Sequence, residues 1–176
     1  MARILAAALV TMGVGTRLLA CEAVLPDHVR VLDCRLAGAV ADAAGRSATL
    51  NDLLQRVQRS DGLIFITPLP PTGPAAKLLG GFSHDVSVAG SYRVMRIVVQ
   101  KNTDDSAMAI VGHELRHALE VLEMSSARTE AEVDALYERL GWRTSAHTVE
   151  TQAALDAGHT IARELRAASK HAHSGG

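Results

Sequence analysis

The sequence predicts an α+β fold, and three features lead there. Alanine accounts for 29 of 176 residues, and several stretches repeat apolar side chains every three or four positions, so helices dominate. Two runs, 63–67 and 92–100, are instead rich in β-branched and aromatic residues and read as strands. Aromatic residues make up only 3% of the chain, so the core of either element has to be aliphatic. At 48% hydrophobic and 21% charged, a chain of this length has the make-up of one globular domain rather than of a disordered segment. Eighteen basic residues against 19 acidic ones give no electrostatic footprint for nucleic acid.

Arg3 followed by the apolar run 4–16 has the charge and hydrophobic block of a secretory signal. The run is too short for a transmembrane helix, which needs about 20 apolar residues. Leu18-Leu19-Ala20-Cys21 resembles a lipoprotein box, which makes Cys21 a candidate for a lipid anchor, although Arg17 sits close to the cleavage point. A buried first element is the rival reading of the same residues. The expected organisation is a leader over 1–20, a single domain over 21–170 and a disordered tail over 171–176. The mature chain is then exported to the periplasm, the cell envelope or the medium, and no other stretch could span a membrane. Cys21 and Cys34 are the only cysteines and can pair in an oxidising compartment if Cys21 is not acylated.

Each element follows from local signals. Pro26-Asp27 opens a segment with Val29, Leu32, Leu36 and Val40 at helical spacing, which ends near Gly45. Ser47 caps a second helix with Leu50, Leu53, Leu54 and Val57 on one face. The strand 63–67 follows, and the proline- and glycine-rich stretch 68–81 reads as a surface loop. The strand 92–100 can pair with 84–89 as a hairpin around Gly90-Ser91. Thr103-Asp104-Asp105 supplies an N-cap and an acidic first turn for a long helix with Ala107, Ile110, Val111, Ala118, Val121 and Leu122 on its apolar face. Thr129 and Glu132 form a capping box for a helix that Gly141 stops, and a last helix is expected over about 148–169.

The long helix contains Gly112-His113-Glu114-Leu115-Arg116-His117, an HExxH motif. Positions i and i+4 share a helix face, so His113 and His117 can meet one Zn²⁺, with Glu114 beside them as general base. With eight His and nine Glu in 176 residues, chance places such a motif in roughly 2% of chains of this composition. A catalytic zinc site usually takes three protein ligands and leaves a position open. The metzincin continuation wants Gly and then His or Asp where this chain has Glu120 and Glu123. The gluzincin pattern takes a Glu from a later helix, often within ExxA, and Glu150-Thr151-Gln152-Ala153 fits it. His147 is the rival third ligand.

The stretches VGHELRHALEVLE, LYERLGW and VETQAALDAGHTIARELR resemble small bacterial exported metalloproteases and, more widely, gluzincin-type zinc metallopeptidases of minigluzincin size. The resemblance covers about residues 50–165. It implies a zincin-like core: a small, mainly antiparallel sheet packed on an active-site helix and on a glutamate-bearing helix. It also implies Zn²⁺ held by His113, His117 and Glu150, a peptide or protein substrate, and hydrolysis with Glu114 as the base. A zincin strand lining the cleft pairs with substrate, and residues 92–100 are the candidate edge. His159 and Tyr137 are candidate donors to the transition state, and Glu120 is a candidate to orient a ligand imidazole. The alternatives are a catalytically silent zinc-binding module and a zinc hydrolase of non-peptide amides or esters.

Overall fold

Asp33 decides where the first helix begins. In the computed structural model, which describes residues 23–69, 79–83, 85–144 and 149–174, its carboxylate accepts from the Arg35 and Leu36 N–H groups. Helix α1 (Cys34–Arg46) therefore starts there and not at Pro26-Asp27. Val29 belongs instead to strand β1 (Val29–Val31), whose flanking valines favour the pleated conformation. Its helical spacing with Leu36 and Val40 is coincidental. Ser47 ends α1 and caps α2 (Ala48–Gln58) by accepting from the Leu50 N–H, as expected.

The helical pair α1–α2 is the crossover that lets β1 run parallel to β2 (Gly62–Pro68). Strand β2 runs parallel in turn to β5 (Tyr92–Val99), while β3 (Gly80–Phe82) and β4 (Ser87–Ala89) run antiparallel to β5. The sheet order is β1-β2-β5-β3, with β4 also on β5. The α+β expectation holds, but the sheet is mixed, with a parallel centre, rather than mainly antiparallel. The expected hairpin around Gly90 forms as β4–β5. Strand β5 is not an edge, because β2 flanks one side and β3 and β4 the other. Strand β3 holds that outer position.

Helices α3 (Asp105–Glu123), α4 (Glu130–Leu140) and α5 (Gln152–Ser174) follow, with a two-stranded ribbon of β6 (Trp142–Arg143) and β7 (Val149–Glu150) before α5. Asp104 caps α3, and Thr129 with Glu132 closes the capping box of α4. Helices α1, α2 and α3 pack on the sheet, and α5 lies along α3. The two approach closely because Gly112 has no side chain: a Cβ there would sit 2.0 Å from Ile161 Cδ1. The core is aliphatic, as the composition requires, with Tyr137 the one Phe, Trp or Tyr among the described buried residues. Helix α5 starts later than expected and continues to Ser174, through most of the segment expected to be a disordered tail.

Arg93 has no place in the sequence reading, yet it lies 2% exposed beneath α3. Its Nε and Nη2 donate to the Asp61 carboxylate at 2.6–3.2 Å. Nη1 donates to the Val121 and Met124 carbonyls, each at 2.8 Å, and to Ala127 at 3.2 Å, while Nη2 also reaches Leu122 at 2.8 Å. A buried guanidinium thus gathers the carbonyls of the last turn of α3 and of the residues just after it, two of which also accept backbone N–H groups, and places a cation at the helix's negative pole. Cys34 is disulfide-bonded. No helix among the described residues is long and apolar enough to cross a membrane. The expectations for the leader 1–20, Cys21, His84, His147, most of the loop 68–81 and Gly175–Gly176 fall outside the described residues.

Candidate metal centre

One turn of α3 sets His113 and His117 side by side, with ring centroids 4.9 Å apart and edge to face. The Nε2 atoms lie 3.4 and 3.3 Å from a single oxygen, Glu150 Oε1. All three ligand atoms fall within 4.8 Å of one another. Glu150 comes from β7 and not from the helix: it pairs with Trp142, and Thr151 then caps α5 by accepting from the Ala154 N–H at 3.2 Å. The expected glutamate-bearing helix therefore begins two residues past the glutamate, because the cap residue needs an extended backbone before it.

The imidazoles are oriented from behind. His117 Nδ1 lies 3.2 Å from Glu120 Oε2, and Glu120 Oε1 accepts from the Thr151 hydroxyl at 2.7 Å. The Thr151 N–H in turn donates to Glu150 Oε1 at 2.9 Å. Glu120, 5% exposed, thus ties one ligand to the segment that carries another. A backbone hydrogen bond to Ala154 favours the charged form of His113. Where the ring proton sits on Nδ1, a neutral imidazole turns its Nε2 lone pair toward Glu150 Oε1. Two imidazole nitrogens and one carboxylate oxygen so arranged can share a proton or a cation. A tetrahedral ion with bonds of about 2.0–2.1 Å sets its ligand atoms about 3.3–3.4 Å apart, close to the two His–Glu separations. The donor set of two imidazoles and a carboxylate suits zinc.

Burial pushes the Glu114 carboxyl up to about 7, with the Glu150 charge adding to the effect and His117 and the Phe82 N–H opposing it. Burial holds His113 below the usual imidazole range against the pull of Glu150. Burial acts the same way on His117, but the Glu120 hydrogen bond and the surrounding carboxylates outweigh it and move that group up. Glu114 is 7% exposed against the β3 backbone, one residue round the helix from His113. A carboxylate of that basicity is suited to accept a proton near neutral pH.

A cleft of about 930 Å³ opens between α3, α5 and the start of β3. His113, Glu114 and His159 line it, together with apolar Leu79, Ile110 and Leu155. His159 therefore shares a cleft with His113 and Glu114. Tyr137 does not: it is buried, its ring packs edge-on against His117 at 5.6 Å, and its hydroxyl donates to the His117 carbonyl at 2.9 Å. It braces the ligand helix from behind, and burial pushes its phenol up. His28 packs against Tyr92 and the end of α2, away from the site. Sequence reasoning missed Thr151 and the Phe82 N–H. The first carries a readable signal, as a threonine directly before a helical run, while the second depends on strand packing alone. Comparison with protein families, curated proteins and solved structures finds no match for the chain.

Proposed function

We propose that the protein is an exported zinc-dependent metallopeptidase of the zincin type. The observation that carries the reading is the convergence of His113 Nε2 and His117 Nε2 on Glu150 Oε1, with Glu114 buried beside them at the head of a cleft. Zinc held there supplies Lewis-acid polarisation of the scissile carbonyl and an acidified water. Glu114 takes the proton of the attacking water and passes it to the leaving amine. His159, at the cleft wall, donates to the developing oxyanion. Glu120 and Thr151 fix the ligands before substrate arrives. The strand pairing with substrate is β3 and not β5, since the register turns the Gly80 backbone groups away from β5. The disulfide at Cys34 fits an oxidising compartment.

The open cleft at His113 and Glu114 favours turnover over a silent structural site, in which a fourth protein ligand would close the metal. Glu114→Gln keeps the shape and removes the base. It is expected to retain zinc and to lower kcat on a peptide substrate by about 10³-fold, within the range for a lost general base. Undiminished proteolysis would sink the assignment.

A further inference from the structure

Trp142 is the chain's single tryptophan, and its indole is 46% exposed in a protein that has otherwise two tyrosines and two phenylalanines. Residues directly opposite in an antiparallel pair project to the same side, with Cβ atoms about 5 Å apart. Trp142 opposes Glu150, so its indole rises on the side of the carboxylate that meets His113 and His117. The other side of the ribbon carries Val149, which packs on the core. The pairing has no room to slip. A Cβ on Gly141 would lie 2.4 Å from the Glu150 carbonyl oxygen and 2.6 Å from Val149 Cγ1, so the backbone before Trp142 is pressed against β7. The α3–α5 cleft is lined by His113 and Glu114 but not by Trp142, which stands across the ribbon from Glu150.

We propose that Trp142 is a specificity-determining residue: its indole receives an apolar or aromatic side chain of the peptide, on the side of the scissile bond away from the α3–α5 cleft. The proposal rests on the metallopeptidase reading and names the substrate class for that site. An indole offers a broad rigid apolar face with only two rotatable bonds to order. Its place opposite Glu150, on the same side of the ribbon, is what sets it apart from the other exposed apolar side chains.

A lone tryptophan makes the test spectroscopic. Metal-free full-length protein is titrated with Cu²⁺ while indole emission and bound copper are both followed. Quenching that saturates at one equivalent, and is lost in the His113→Ala, His117→Ala double variant, is expected. Copper bound at one equivalent with unchanged emission overturns the placement of Trp142 and leaves the metal reading standing. The absence of binding at one equivalent overturns both. Zinc-loaded protein is then titrated calorimetrically with peptide hydroxamates that differ in one side chain. The phenylalanine compound is expected to bind about tenfold tighter than the glycine compound. That preference should vanish in Trp142→Ala and persist in Trp142→Phe. No preference in the parent protein, a preference kept in Trp142→Ala, or no binding at all overturns the specificity role.

Discussion

Helix α3 carries two buried polar clusters, and they are built on opposite principles. At its carboxyl end all three guanidinium nitrogens of Arg93 donate, to Asp61 and to four backbone carbonyls, and the cluster is closed. Midway along the helix, the Nε2 atoms of His113 and His117 face one oxygen of Glu150, which also accepts from the Thr151 N–H, while Glu120 lies against His117 Nδ1. The first cluster needs nothing more and holds the helix in place. The second leaves room at its centre for the cation proposed above. Matched donors mark structure, and the converging His and Glu atoms are the proposed binding site, one helical stretch away.

Breaking the closed cluster has the larger effect on folding. Arg93→Met strands the Asp61 carboxylate and the end of α3, and should cost about 3 kcal/mol, a fall in Tm of roughly 10 °C, that added zinc does not restore. A Tm unchanged in thermal unfolding would show that the cluster does not bear on stability. In the open cluster, Glu120→Gln leaves both ligand imidazoles present but weakens the hold on His117. Zinc affinity should fall by about 10–100-fold with the thermal stability of the metal-free protein little changed, which competition with a chelator measures. An affinity equal to the parent's would separate Glu120 from the site.

The smallest effect sharpens the contrast through pH. Hydrogen bonds from Arg93 hold the Asp61 carboxyl below the usual range, with burial opposing. The unfolded chain, with a carboxyl pKa near about 3.9, therefore takes up this proton first as pH falls. The stabilisation is present above that value and is lost as pH drops through the lower folded value. With Asp61 one-third exposed, the contribution is under about 1 kcal/mol. Denaturant unfolding of Asp61→Asn should show a flatter acid limb below about pH 4 and an unchanged slope from pH 5 to 8. An acid limb as steep as the parent's would contradict this.

Much of this contrast was readable in advance on one side only. Ser47, Asp104 and Thr129 cap the helices expected of them, because a cap is a bond between a side chain and its own local backbone. His113, Glu114 and His117 were legible for the same reason, since one helical turn fixes their geometry. Glu150 was reachable through the resemblance, but its place on β7 was not, as a two-residue strand has no periodicity to detect. The parallel centre of the sheet escaped because Val29 fits a helical spacing as well as a strand, and the choice between them depends on pairing with Ile64. Arg93 escaped because burial of a strand arginine depends on Asp61 and on the end of α3, both far along the chain.

The central claim is that the acceptors of His113, His117 and Glu150 share one zinc ion. Its most direct test is zinc stoichiometry and affinity of the full chain beside Glu150→Ala, with X-ray absorption at the zinc edge. The account predicts one zinc per chain, two imidazoles and further oxygen ligands at about 2.0–2.1 Å, and an affinity lower by orders of magnitude in the variant. Zinc bound with equal affinity when Glu150 is gone, or no zinc bound at one equivalent, would contradict it.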